Sequence, residues 1–142
     1  MSYDKHAVMK KTIYLLALLF CFACDEDLSK QRDDIVGTWD WQRSTGGLAG
    51  IISTPQTVGY NQEIQFGENG IYTWYVADTV REQGNYSLSE DLTIFSNDAV
   101  PVINLEHRQV SLAIFKLNRD SLIFASDCHD CTTQEFTRRN TD

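Results

Sequence analysis

Gln62-Glu63-Ile64-Gln65-Phe66-Gly67-Glu68-Asn69-Gly70-Ile71-Tyr72-Thr73-Trp74-Tyr75-Val76-Ala77 is the stretch that decides the fold. Ile64 and Phe66 fall two residues apart, the period of a strand with one buried face. Gly67-Glu68-Asn69-Gly70 then breaks the pattern with Asn and Gly, which accept the positive φ that tight hairpins require. Ile71 to Ala77 resumes with β-branched and aromatic residues, the types that suit a pleated, half-buried surface. The stretch predicts an antiparallel hairpin.

The same grammar continues in both directions. Val80 to Leu88 follows Ile71 to Ala77 around a turn at Asp78-Thr79. A turn at Ser89-Glu90-Asp91 leads into Leu92 to Phe95, and Asn97-Asp98 breaks the pattern again. Val100 to Leu105 reads as a strand that Pro101 confines to an edge or a strand start. Val110 to Leu117, a turn at Asn118-Arg119-Asp120, Ser121 to Ala125 and Thr132 to Arg138 complete the series. Upstream, Ile35 to Arg43 places Gly37, Trp39 and Trp41 on one face and Val36, Thr38 and Asp40 on the other. Ser44 to Gly59 is a long loop containing Pro55, of a length that tends to carry function. No 3.6-residue periodicity interrupts these about nine short segments, so the chain is expected to be all-β, as an antiparallel barrel or sandwich. Closure removes the exposed edges that such strands otherwise leave.

The N-terminal residues obey different rules. Lys10 and Lys11 precede an uncharged apolar run from Ile13 to Ala23, the layout of a secretory signal and too short to span a bilayer. Met9-Lys10-Lys11 is itself a conventional start, so both Met1 and Met9 stand as candidate first residues. Leu18-Leu19-Phe20-Cys21-Phe22-Ala23-Cys24 resembles a bacterial lipobox, with Cys21 where a branched aliphatic is usual. That resemblance implies cleavage before Cys24 and acylation of its sulfur with chains such as palmitate; ordinary signal-peptidase cleavage nearby is the alternative. Two acyl chains anchor stably where one is marginal. Asp25-Glu26-Asp27 resembles the acidic export tag of surface-displayed lipoproteins of Bacteroidetes-type bacteria. The division expected is a signal peptide over 1–23, an acidic linker over 24–34 with room for a short helical turn at its end, and one β-domain over 35–142.

The chain has 142 residues, enough for one domain with a core of its own. Its 12 Lys and Arg face 20 Asp and Glu, a formal charge of −8. A field of that sign repels phosphate backbones, so nucleic acid is excluded as a partner class.

From about Ile35 to Arg139 the residues resemble the small lipocalin-like lipoproteins of Bacteroidetes-type bacteria, and more distantly the lipocalin and fatty-acid-binding barrels. Gly37-Thr38-Trp39 matches the Gly-x-Trp opening of the first strand. Gly46-Gly47 and Ala49-Gly50 precede Thr54-Pro55; Phe66, Asn69-Gly70 and Tyr72 follow in order. Gly84-Asn85-Tyr86, Asp120-Ser121-Leu122 and a last strand ending in arginine complete the match. The resemblance implies an up-and-down barrel of about eight strands whose first-strand Trp39 seals one end beneath a basic residue of the last strand, Arg138, with Arg139 as rival. It also implies an envelope protein on the outer membrane, held there by its lipid, and a monomer. Such a barrel either holds one small apolar ligand or is filled by side chains such as Tyr72, Trp74 and Tyr86. In the first case Leu48, Ile51 and Ile52 of the long loop form a lid near Trp74 and Tyr75; in the second they plug the core.

Cys128-His129-Asp130-Cys131 is the sharpest local motif. In an exported chain the first expectation is a disulfide clamping a hairpin loop. Zinc is the sharper reading, but no second Cys-x-x-Cys or His pair completes a tetrahedral set, so no metal is assigned. Catalysis by a nucleophile needs a base oriented by a third group. Downstream of the signal only His107 and His129 exist, and His107 lies in a charged turn. No catalytic residue and no cofactor is assigned, and the chain reads as a non-enzyme.

Overall fold

The computed structural model describes residues 25–47 and 50–140, with the backbone alone for 25–28. The signal peptide, Cys24 and Leu48 lie outside the described residues. Helix α1 (Asp25–Ile35) is followed by β1 (Gly37–Gly46), β2 (Ile51–Ser53), a short helix α2 (Pro55–Val58) and β3 (Gln62–Phe66). Then come β4 (Ile71–Val76), β5 (Thr79–Thr93), β6 (Ser96–Leu105), β7 (Leu112–Leu117), β8 (Ser121–Ser126) and β9 (Thr132–Arg138).

Every pairing is antiparallel and β9 returns to β1, closing an eight-stranded up-and-down barrel. The decisive hairpin has the register its pattern predicts, with Ile64 opposite Trp74 and Phe66 opposite Tyr72. β2 is an accessory strand: β3 pairs with Gly37 to Asp40 of β1, and β2 takes up Ser44 to Gly46 beyond it. The weakest seam is β6 to β7, where only Val102–Ala113 and Ile103–Leu112 are paired. Pro101 sits just before that seam, where no neighbour on the β7 side demands its missing N–H.

Three expectations change. In the segment read as an acidic linker the helical turn extends to the whole of α1, supported by an i,i+4 pair between Lys30 and Asp34 at 3.8 Å and by the burial of its last residue, Ile35. The turn at Ser89-Glu90-Asp91 is absent; these residues continue β5, each paired with β6, the chain reverses at Ile94-Phe95 instead, and Asn97-Asp98, read as a break, fall inside β6. Cross-strand pairing over this length overrides the turn composition. Part of the long loop becomes β2 and α2, the latter fixed by a Thr54–Thr57 capping box, Pro55 in the first turn and Gly59 in a left-handed cap.

The end of the barrel where β1 begins is shut. Trp39 is fully buried and its indole donates to the Ile35 carbonyl at 2.8 Å. The Arg138 guanidinium lies 4.2 Å over the same ring. Its N–H groups donate to the carbonyls of Asp34, Val36 and Arg119. A cation on the last carbonyls of α1 satisfies acceptors the helix cannot use internally. Gly37 is required there by its φ of 138°, which L side chains rarely adopt, and a Cβ would also push the Arg138 guanidinium from its place.

Replacing Trp39 with Ala should cost about 3–5 kcal/mol of unfolding free energy, as large-to-small core changes of aromatic residues do. Urea denaturation of the full chain measures it; a loss below ~1 kcal/mol would show that this seal does not organise the barrel.

Candidate functional site

The barrel interior is the first place to look for function, and side chains occupy it. Ile64, Phe66, Tyr72, Leu122, Phe124 and Phe136 all lie inward and are buried. Phe124 and Phe136 stack at 5.3 Å, and Trp74 meets both edge-on at 6.3 and 6.1 Å. Phe66 meets Tyr86 edge-on at 4.9 Å, and the Tyr86 hydroxyl donates to the Gly67 carbonyl at 2.9 Å. Inward alternation of large residues on each strand produces this filling.

Above the aromatic layer the lining turns polar. The Tyr72 hydroxyl donates to Glu82. Arg108 grips both oxygens of the same carboxylate, at 3.3 Å through Nε and 3.2 Å through Nη2. Its guanidinium also lies 4.4 Å over the Trp74 ring, whose indole N–H donates to Gln62 at 3.2 Å. The open depression above this layer holds about 370 Å3 and is faced by Gln62, Arg81, Glu82, Arg108, Ser126 and Gln134. Burial raises the Glu82 pKa, but hydrogen bonds from Tyr72 and Arg108 and the Arg108 charge outweigh it, and the carboxyl titrates below its ordinary value. Burial, then the hydrogen bond to Glu82, pushes the Tyr72 phenol well up. Tyr72 is therefore a permanent donor at neutral pH. The cluster is an ion pair on an aromatic floor, and it holds no nucleophile beside a free base.

Of the residues expected to line a ligand site, the described ones, Ile51, Ile52, Trp74 and Tyr75, do not share one face. Trp74 and Tyr75 are neighbours on β4, so one points into the core and the other outward. Ile51 and Ile52 are 64% and 56% exposed on β2, forming neither a lid over the interior nor a plug in it. Arg138 and Trp39 do meet, whereas Arg139 turns outward to Asp40 and Glu63. Cys128 and Cys131 lie at disulfide distance in the β8–β9 loop, with Cα atoms 5.6 Å apart. Among the described residues no three His, Cys, Asp or Glu side chains converge as metal ligands.

Two features escaped the sequence reading. Glu82 shares the inward face of β5 with Gly84 and Tyr86, and an acid at such a position is itself a signal of a buried partner. Arg108 was not traceable as that partner, because the Glu106-His107-Arg108 turn looks wholly solvent-facing until the strands place it over the mouth.

A closed eight-stranded antiparallel barrel with a sealed end and an open, polar end fits a lipocalin-like fold. Comparison with protein-family models, curated proteins and solved structures finds no match to this chain.

Glu82→Gln should destabilise the full chain by about 1–2 kcal/mol at pH 7, the scale of a charged hydrogen-bond network. With a depressed folded-state pKa, the carboxylate's contribution is complete above its unfolded value of about 4.3 and is lost as pH falls through the folded value. The gap between wild type and variant in urea midpoint should therefore narrow below about pH 4. A constant gap from pH 7 to pH 3 would mean that charge at Glu82 contributes nothing.

Proposed function

We propose that the chain is a lipoprotein of a Gram-negative envelope: residues 1–23 are removed, Cys24 carries the lipid, and a side-chain-filled barrel stands off the outer membrane as an interaction module. The single observation that carries the functional part is the occupied interior. Tyr72 and Phe124 are fully buried and Trp74 nearly so, and the Tyr72–Glu82–Arg108 cluster lies directly over them. An apolar ligand would have to displace these aromatic side chains, each of which buries on the order of 150–250 Å2, and then break a charged network. Filling is thus favoured over ligand storage, and recognition falls to the outer surface. Catalysis has no part in this proposal.

The anchor rests on the sequence. Lys10 and Lys11, the apolar run and the lipobox-like Leu18 to Cys24 supply the export and acylation signals. The helix that starts at Asp25 follows Cys24 directly, so a lipid there would hold the sealed end of the barrel toward the bilayer.

Native mass spectrometry of the full chain in mild detergent, with organic extraction, should recover the acylated polypeptide and no second apolar compound. A stoichiometric extracted ligand would return the protein to the storage reading. For the anchor, wild type expressed in a Gram-negative host should take up radiolabelled palmitate and sediment with membranes. Cys24→Ser should lose the label and appear in the soluble fraction; a variant still labelled would show that the lipid, if any, sits elsewhere.

A further inference from the structure

On the outer wall, where β1, β3 and β4 run side by side, α2 and the β4–β5 turn enclose a cleft of about 390 Å3. That volume falls in the range of about 300–1,000 Å3 typical of small-molecule sites. Its floor is fixed by charge: Arg139 bonds both Asp40 and Glu63, the latter at 2.7 Å. Around this floor stand groups with hydrogen-bonding capacity to spare. The side chains of Gln56, Asn61, Tyr75 and Asp78 make no hydrogen bond to other described residues.

We propose that this cleft binds a neutral oligosaccharide through Gln56, Asn61 and Tyr75. Primary amides both donate and accept, as sugar hydroxyls do, so the two unbonded amides of Gln56 and Asn61 lining one cleft match a polyol better than a ligand of one sign. Tyr75 adds an aromatic ring on which the C–H face of a pyranose can rest, with a phenol to hydrogen-bond at its edge. Competing chemistries are disfavoured by the same residues. Asp40, Glu63 and Asp78 outnumber Arg139, so an anion meets net negative charge. Asp40 and Glu63 are already paired, so a cation finds only Asp78. An apolar ligand would bury amides without partners. The site goes beyond the filled-barrel reading and does not need it, because the groups proposed to bind stand on α2, on the connection before β3 and on the outward face of β4.

The test titrates the full chain, in detergent, with defined probes: hexasaccharides of glucose, mannose and xylose, a hexagalacturonate, and hexalysine. Calorimetry reads affinity. Saturable binding of at least one neutral hexasaccharide is expected. Gln56→Ala, Asn61→Ala and Tyr75→Ala should each weaken it, with the Tyr75 change about tenfold, or ~1.4 kcal/mol. Gln56 and Asn61 are exposed and unbonded at their side chains, so their variants should keep the wild-type urea midpoint. No binding of any neutral probe at millimolar concentration, binding only of hexagalacturonate or hexalysine, or neutral binding unchanged by all three substitutions would overturn the proposal. Any of these failures leaves the ligand-extraction result, and with it the filled barrel, untouched.

Discussion

One guanidinium ties the molecule together. Arg138 ends the last strand, covers the Trp39 ring of the first, and donates to carbonyls of α1, of the α1–β1 connection and of the β7–β8 turn. A cation over an indole contributes on the order of 1 kcal/mol, and each hydrogen bond to a charged group about 1.5–3 kcal/mol. The larger effect is topological. β1 and β9 are separated by most of the domain's sequence, and their pairing is the contact that turns an open sheet into a barrel. Loop closure over that span is entropically unfavourable. Arg138 supplies specific interactions exactly where that closure occurs, and it selects the register because only one alignment puts it over Trp39.

Closure at one end leaves the other to be explained. An eight-stranded barrel is only just wide enough for its own side chains. Trp74, Phe124 and Phe136 consume the width, so the upper cross-section is decided by what lies above them. A carboxylate placed there without partners would be costly. Arg108 and Tyr72 make Glu82 tolerable, and the bidentate grip fixes Arg108 against Trp74. The two ends use the same chemistry, an arginine over an inward tryptophan. The lower one faces backbone carbonyls and the upper one a carboxylate.

Much of this fold was legible because its strands alternate cleanly. Ile64, Phe66, Tyr72 and Trp74 announce one buried face, and Gly67 to Gly70 announces the turn between them. Legibility fails where tertiary pairing overrides composition. Ser89, Glu90 and Asp91 carry turn character, yet partners on β6 keep them extended. Asp25 to Asp34 carries no apolar stripe, so its helix could not be read from periodicity; among its described side chains Ile35 is the one buried in the core. The site suffered from a different gap. Spacing says that Trp74 and Tyr75 face opposite ways, but it cannot say that Arg108 returns to the mouth from a remote turn, or which of Arg138 and Arg139 points inward.

That last choice has a consequence for the outer wall. Along the strands that build the cleft, core and surface residues are immediate neighbours: Trp39 with Asp40, Ile64 with Glu63, Trp74 with Tyr75, and Arg138 with Arg139. A pleated strand turns each pair back to back. The register that stacks Arg138 on Trp39 is therefore the same register that brings Arg139 between Asp40 and Glu63. A slip of one residue would exchange the two arginines and destroy both arrangements at once. Rigid packing inside thus fixes the spacing of polar groups outside, and a filled interior gives the outer surface a geometry that a loosely packed barrel could not hold.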